Sequence, residues 1–219
     1  LPNVHTPARK RPSLPKLSTI AIVPTQGIIH RTLKPMITSI RTQRLILRLP
    51  NKADAPALFH TVNGSVETLS RFLSWCTPEY ALSDAVKWTR GAEYDAAQGL
   101  GFHFLAFEQL SGDLIGSCAV TNRGSALGED GVWNLGYWIR SSSEGRGFAS
   151  EAISAVIDAA RQSDRIDQLE IKMLATNDKS QRVAIKSGAQ FIGIRDEDIS
   201  LHGKKWPALV YRLTVTHTA

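Results

Sequence analysis

Residues 135–160, LGYWIRSSSEGRGFASEAISAVIDAA, pass from an apolar strand through a glycine-bearing turn into an amphipathic helix. From Phe148 onward Ala149, Ala152, Ile153, Val156, Ile157 and Ala160 recur at three-and-four spacing, with Ser150, Glu151, Ser154, Asp158 and Arg161 on the other face. This spacing predicts a helix that starts near Gly147 or Phe148. The first turn of such a helix has amide hydrogens without intrahelical partners, and the aligned peptide dipoles place partial positive charge there. Gly145 and Gly147 allow a tight turn and close approach of an anion to the backbone, and Arg146 between them can add a full charge. The segment therefore has the order of a phosphate cradle, suited to a pyrophosphate. It lacks the Lys-Ser/Thr that a nucleotide-hydrolysing loop requires after its second glycine. It also lacks the GxGxxG spacing of a dinucleotide site, with its acidic residue about 20 positions on.

Outward from this turn, residues 44–49 (RLILRL) alternate and predict a first strand, broken by Pro50-Asn51 and followed by a short helix over 53–62. Ser83 is expected to cap a second helix with Ala85, Trp88, Ala92 and Ala96 on one face and Gly99 as its stop. Residues 102–108 and 114–122 predict a hairpin about Ser111-Gly112-Asp113, and a loop over 123–131 leads to a strand over 132–140. After the glycine turn come a helix (148–162), a strand (168–175), a helix (178–187) and two strands (190–195 and 206–216) around His202-Gly203. This order describes an α+β fold, a mixed sheet with helices on both faces.

The turn EGRGFA at 144–149 resembles the acetyl-CoA pyrophosphate loop of the GNAT N-acetyltransferases, usually Gln/Arg-x-x-Gly-x-Gly/Ala, with Glu144 where the family prefers Gln or Arg. LGYWIR at 135–140, LEIKMLATNDKSQRVAIKSGAQFIG at 169–193 and HGKKWPALVYRL at 202–213 are similar to the RimJ/RimL branch, which acetylates protein N-termini. The match covers residues 41–215. The resemblance implies a GNAT acyltransferase fold, its mostly antiparallel sheet splayed at the cofactor site. It implies acetyl-CoA as co-substrate, and a chain without an obvious Cys-His or Ser-His-Asp set suits direct attack by a primary amine in a ternary complex. Such a reaction needs a neutral amine, a held carbonyl and a proton for the thiolate. By resemblance the backbone of Trp138, Ile139 and Arg140 would bind the pantetheine and thioester like an added strand. Glu144, Gly145, Arg146, Gly147, Phe148 and Ala149 would hold the pyrophosphate.

Asn177 falls on the family's asparagine that bonds the pantetheine arm, and Ser180 on the serine placed near the thioester sulfur. Ser180 is thus the candidate for protonating or stabilising the thiolate. The same run, Asn-Asp-Lys-Ser, also suits a helix start. Many members place a tyrosine four residues after this serine; here that position is Ala184, so the tyrosine mechanism does not carry over. Asn134 stands where RimL-like sequences often carry Glu, and an amide can orient water without accepting a proton at neutral pH. Either Glu67, Glu93, Glu197 or Asp198 then serves as base, or the amine arrives neutral. An α-amine with a pKa near 8 is about one-tenth neutral at pH 7. Trp75, Tyr80 and Trp133 are candidates to line the acceptor groove, and FLSW around Trp75 resembles the RimL-type substrate loop. Pro207 replaces an Asp that the family often carries in the last hairpin.

The 219 residues, 42% hydrophobic, suffice for one core plus an appendage. Residues 1–44 hold eight Lys and Arg and no acid, more than the whole chain's net charge of +6, so the rest is net acidic. Residues 1–40, rich in proline, are expected to form a disordered or draped basic arm ahead of a domain at 41–219. The arm's functional reading is contact with RNA or an acidic protein, against a simple solvated tail. Cys76 and Cys118 lie far apart, as expected of buried free thiols in a reducing cytoplasm, and the six histidines are scattered without metal-ligand spacing. No run of 18 apolar residues predicts a membrane span. The leading expectation is acetyl transfer to a protein N-terminal amine, with a small-molecule amine or a non-catalytic CoA-binding, RNA-tethered sensor as alternatives. A homodimer is also expected from the resemblance, since family members often pair.

Overall fold

The computed structural model describes residues 38–122 and 131–217. Most of the basic arm and most of the 123–131 loop therefore lie outside the described residues. Eight strands form one sheet. In spatial order they are β1 (Ser39–Arg41), β2 (Leu45–Arg48), β3 (Gly101–Glu108), β4 (Leu114–Thr121), β5 (Val132–Ile139), β6 (Gln168–Met173), β8 (Lys204–Thr214) and β7 (Gln190–Leu201). Every neighbouring pair is antiparallel except β5 and β6. Ser39 and Ile40, assigned to the arm from sequence, belong to β1, where Ile40 faces Leu47 of β2 and packs on the core. The folded domain thus begins before residue 41.

Helices α1 (Ala55–Asn63), α2 (Val66–Leu69) and α3 (Leu82–Ala97) go with one core cluster, including Leu58, Val62, Ala85, Leu105 and Leu114. Helices α4 (Phe148–Ala160) and α5 (Asp178–Lys186) go with the other, larger cluster, which includes Phe104, Ile115, Leu135, Ile153 and Leu169. Fully burying a side chain such as Ile153 contributes about 1.5–3 kcal/mol, so these apolar stripes fix the two faces of the sheet.

The helix starts are set by polar side chains. Ahead of α1, Asn51 Oδ1 accepts from the Ala53 amide (2.9 Å) and Asp54 accepts from the Asn51 amide (2.8 Å), while Arg48 clasps Asp54 through two bonds of 2.8 and 2.6 Å. Burial pushes the Asp54 carboxyl up, but the Arg48 guanidinium and the Asn51 amide more than offset this and hold it below the usual carboxylate range. The expectation for Ser83 is corrected. The second long helix starts two residues earlier, with Ala81 at the cap and the Asp84 carboxylate accepting its amide at 3.0 Å. A carboxylate at the third helical position can reach back in this way, so no hydroxyl is needed at the cap.

β5 positions the site. It pairs with β6 only over Val132–Gln168, Trp133–Leu169 and Asn134–Glu170; beyond Asn134 the two strands separate. β6 continues on its other edge with β8, and β5 continues with β4. The splay expected from the resemblance is therefore present.

Candidate active site

A cleft of about 760 Å³ opens where β5 leaves β6. Its floor includes Tyr137, Trp138 and Ile139 of β5, one wall the turn and first residues of α4, a second wall α5, and its rim Leu69 at the end of α2 with Arg71 and Phe72 after it. The antiparallel ladder sets which β5 backbone groups face it. The Arg140 amide donates to the Ile115 carbonyl of β4 at 2.8 Å. By the two-residue alternation, the backbone of Trp138 also faces β4, whereas that of Tyr137 and Ile139 faces the open edge. Of the three residues expected to offer backbone bonds, Ile139 is so aimed; Trp138 lines the cleft with its backbone turned to β4, and Arg140 lies outside the lining. Arg140 instead bonds Ser143 Oγ (2.9 Å) and Asp113 (3.1 Å), holding the turn that follows β5.

That turn ends at Gly147, whose φ of 81° is left-handed and whose residue caps α4 without any side-chain hydrogen bond. Gly145 is also left-handed, at 74°. Both conformations are accessible to glycine at little cost, and they leave the first amides of α4 open toward the cleft. Glu144, Gly145, Gly147, Phe148 and Ala149 all line it. Arg146 does not, contrary to the reading that it adds charge to the cradle. Its guanidinium reaches back to Glu108 of β3 at 2.7 Å and lies 4.6 Å from the Phe148 ring centroid. Glu144 forms an ion pair with Lys179 of α5, so the cleft's mouth is bridged by opposite charges.

A buttress outside the cleft fixes the start of α4. Glu151 accepts from Thr42 Oγ1 (2.6 Å), the Arg44 amide (2.8 Å) and Arg44 Nε (2.7 Å), and Arg44 in turn bonds the Arg146 carbonyl (2.9 Å) and stacks on Phe148. Burial raises the Glu151 carboxyl, but these donors outweigh it and hold the group below its ordinary range.

Across the cleft, Asn177 caps α5 by accepting from the Ser180 amide at 3.1 Å, and both residues line the opening. The capping bond uses the Asn177 oxygen and leaves its NH₂ for a ligand, so the helix-start and ligand-binding readings are compatible. Ser180 Oγ lies 2.7 Å from the hydroxyl of Tyr137, which also donates to the Ser180 carbonyl at 3.0 Å. Sequence reading passed over Tyr137. Its signal was its place in the GYW strand, where residues two apart share a face. Burial pushes its phenol up to about 12; the Ser180 bond acts in the lowering direction.

On the opposite face of β5, Asn134 leans over Gly136, its Nδ2 3.6 Å from where a Cβ at 136 would stand. Trp138 shares that face, and Trp75 meets it edge-on with ring centroids 6.1 Å apart. Trp75 is 43% exposed, and neither it nor Asn134 is part of the cleft lining. Trp133 is corrected to a core residue. It is buried, stacked on Phe102 at 6.5 Å and covered by Arg165 at 5.3 Å, because its odd position turns it to the α4 face. Tyr80 is buried between Phe59 and Trp75.

The carboxylates named as possible bases lie elsewhere. Glu67 pairs with Arg71 on the surface, Glu93 is exposed on α3, Glu197 sits in the β7 bulge with φ 54°, and Asp198 is bound to Lys172 (3.1 Å) and Arg195 (3.2 Å). Glu170, beside Asn134 in register, is fully buried between Arg195 (2.9 Å) and Arg212 (2.9 Å). Burial favours its neutral form, but the two guanidiniums hold its carboxyl below the usual range, so it is a structural anion. Among the described residues, Glu144 and Asp178 are the carboxylates of the cleft lining. No group of three or more His, Cys, Asp or Glu there could hold a metal ion, and no helix there is long and apolar enough to cross a membrane.

Known proteins share this fold. Residues 44–190 match a family described as an acetyltransferase (GNAT) domain. The chain is 27% identical over 147 residues to the ribosomal-protein-serine acetyltransferase of Escherichia coli K12, covering 62% of this chain and 78% of that protein. Among solved structures, a RimL ribosomal L7/L12 α-N-protein acetyltransferase in complex with coenzyme A superposes with a TM-score of 0.73 at 20% identity, over 82% of this chain and 99% of that one. The microcin C7 self-immunity acetyltransferase MccE, in complex with acetyl-CoA and AMP, gives 0.74 at 18% identity, over 83% and 99%. With two-thirds of its length matched by that family, the chain belongs to the GNAT acetyltransferases and is an acetyl-CoA-dependent N-acetyltransferase.

Proposed function

We propose that this enzyme acetylates the α-amine of a protein N-terminus by direct attack on acetyl-CoA. The observation that carries the reading is the composition of the cleft. The lining offers Ser180 for the leaving sulfur, while Asn134, outside the lining on the opposite face of β5, presents an amide and not a carboxylate. With an amide at position 134 in place of a carboxylate, an acceptor already about one-tenth neutral at pH 7 reacts far more readily than a lysine side chain with a pKa near 10.4. The Escherichia coli relative, named for acetylating a ribosomal protein, supports the same acceptor class.

In this reading the backbone of Ile139 and the Asn177 amide hold the pantetheine arm, and the amides of Gly147, Phe148 and Ala149 hold the pyrophosphate. Ser180 stabilises the departing thiolate. Asn134 orients the amine or a water, and Trp75 with Trp138 flanks the incoming peptide. Bound acetyl-CoA supplies the activated acyl group.

The test follows free CoA released from acetyl-CoA against a panel of N-terminal peptides, polyamines, aminoglycosides and amino acids. The expected result is release that depends on peptides with a free α-amine. Ser180→Ala should lower kcat by about 100-fold while leaving acetyl-CoA affinity intact. Turnover with small amines alone would refute the protein acceptor, and undiminished turnover by Ser180→Ala would refute the role of that serine.

A further inference from the structure

We propose that Tyr137 is a positioning residue for the leaving-group site, its hydroxyl hydrogen turning from the Ser180 carbonyl to Ser180 Oγ so that the Ser180 hydrogen turns, still bonded to its oxygen, toward the departing sulfur. The inference rests on the role proposed above for Ser180.

The argument is a count of hydrogens. Tyr137 Oη lies 3.0 Å from the Ser180 carbonyl oxygen and 2.7 Å from Ser180 Oγ. A carbonyl can only accept, and a phenol has one hydrogen to give. When Tyr137 donates to the carbonyl, the 2.7 Å contact must be filled by the Ser180 hydrogen, which then points at Tyr137 and away from the cleft. When Tyr137 donates to Oγ instead, the Ser180 hydrogen is free to point into the cleft. The two arrangements differ by rotation of two hydroxyl hydrogens, with no heavy atom displaced.

The charge that develops on sulfur selects between them. A thioester sulfur is a weak acceptor, whereas a thiolate makes charge-assisted bonds about twice as strong as neutral ones. Both arrangements chain one hydroxyl to the next, so the acceptor at the end of the chain, carbonyl or thiolate, decides between them. Ser180 is held for this purpose by its own backbone, because Asn177 accepts its amide at 3.1 Å. The phenol comes from β5, since the helix position four residues on is Ala184, fully buried in the core.

Neither residue gives up its proton. Tyr137, pushed up to about 12, stays protonated against a thiol with a pKa near 8.5. The nitrogen lone pair forms the C–N bond, the C–S bond breaks with its pair going to sulfur, and the proton lost from nitrogen leaves to water.

The test compares the equilibrium affinities of the full chain for CoA and for desulfo-CoA, which lacks the sulfur, at pH 6.5 and 9.5. Wild type is expected to prefer CoA by about tenfold at the higher pH, where the thiolate is present. In Tyr137→Phe that preference should fall about fivefold with desulfo-CoA affinity unchanged, a change that a merely packing role would not produce. If Ser180→Ala abolishes the preference and Tyr137→Phe retains it, the inference is overturned. If Ser180→Ala retains it, the reading of Ser180 itself fails. Should Tyr137→Phe lose desulfo-CoA binding, 3-fluorotyrosine at position 137 decides. It keeps the hydroxyl as a stronger donor, so the preference for CoA should rise, and an unchanged preference overturns the proposal.

Discussion

Replacing Glu151 should loosen the cofactor turn from outside the cleft. Its carboxylate accepts from Thr42 Oγ1, the Arg44 amide and Arg44 Nε at 2.6–2.8 Å, and its side chain is only 17% exposed, so water replaces little of what is removed. Hydrogen bonds to charged groups contribute about 1.5–3 kcal/mol, and stranding a buried donor costs a similar amount. Glu151→Ala is therefore expected to lose about 3 kcal/mol, a fall in Tm of ~6–12 °C for a domain of this size. Glu151→Gln keeps an oxygen for Thr42 and the Arg44 amide but loses the charge, and should lose about 1 kcal/mol. The pH dependence supplies the sharper check. A carboxyl held below its unfolded pKa contributes stability that is present above about pH 4.3 and lost as pH falls through the folded value. The wild-type advantage over Glu151→Gln, read as the urea midpoint, should be full at pH 7 and shrink below about pH 4. An equal advantage at pH 7 and pH 3.5, or an Ala variant within about 0.5 kcal/mol of wild type, would refute the reasoning.

Glu144→Gln should bind acetyl-CoA more tightly at low salt, because a carboxylate at the mouth opposes the phosphates and occupies Lys179. One unit of like charge at ~5 Å in water is worth ~0.8 kcal/mol, about fourfold in Kd, and titration calorimetry should show the difference vanish near 1 M salt. Gly116→Ala should destabilise by about 2–3 kcal/mol in urea melts, since a Cβ there would stand 2.2 Å from the Trp138 carbonyl oxygen across the β4–β5 ladder. Burial pushes the Cys118 thiol up to about 12 and raises that of Cys76, so iodoacetamide at pH 8 should label neither until urea passes the unfolding transition.

The features legible in the sequence were those with local periodicity or local chemistry. The apolar stripe from Phe148 set the start of α4 within a residue, and the Asn-Asp-Lys-Ser run gave the cap and first turn of α5. What escaped depends on contacts distant in the chain. Tyr137 and Ser180 are 43 residues apart, and strand alternation says which residues share a face without saying what lies against them. The same limit misplaced Trp133, an aromatic at a plausible position whose odd register turns it into the core. Arg146 was assigned by its neighbours in sequence, yet Glu108, 38 residues earlier, draws its guanidinium off the cradle. Helix α2 has four residues, too few to show a period.

The separation of β5 from β6 also divides the chemistry between two faces of one strand. Tyr137 turns toward α5 and meets Ser180, while Asn134 and Trp138 turn toward the α1–α3 side and Trp75. On the proposed reading, the leaving sulfur and the incoming amine are served from opposite faces, with the β5 backbone between them holding the thioester. The two half-sites then separate experimentally: changes at Ser180 or Tyr137 alter the response to thiolate whatever the acceptor, and changes at Asn134 or Trp75 alter acceptor preference with CoA affinity intact. The division also fits an acceptor side that carries the Asn134 amide where a carboxylate base would stand, the carboxylates of the lining being Glu144, paired with Lys179, and Asp178. Departure of sulfur is assisted on one face, and the other face needs only to select an amine that is already neutral.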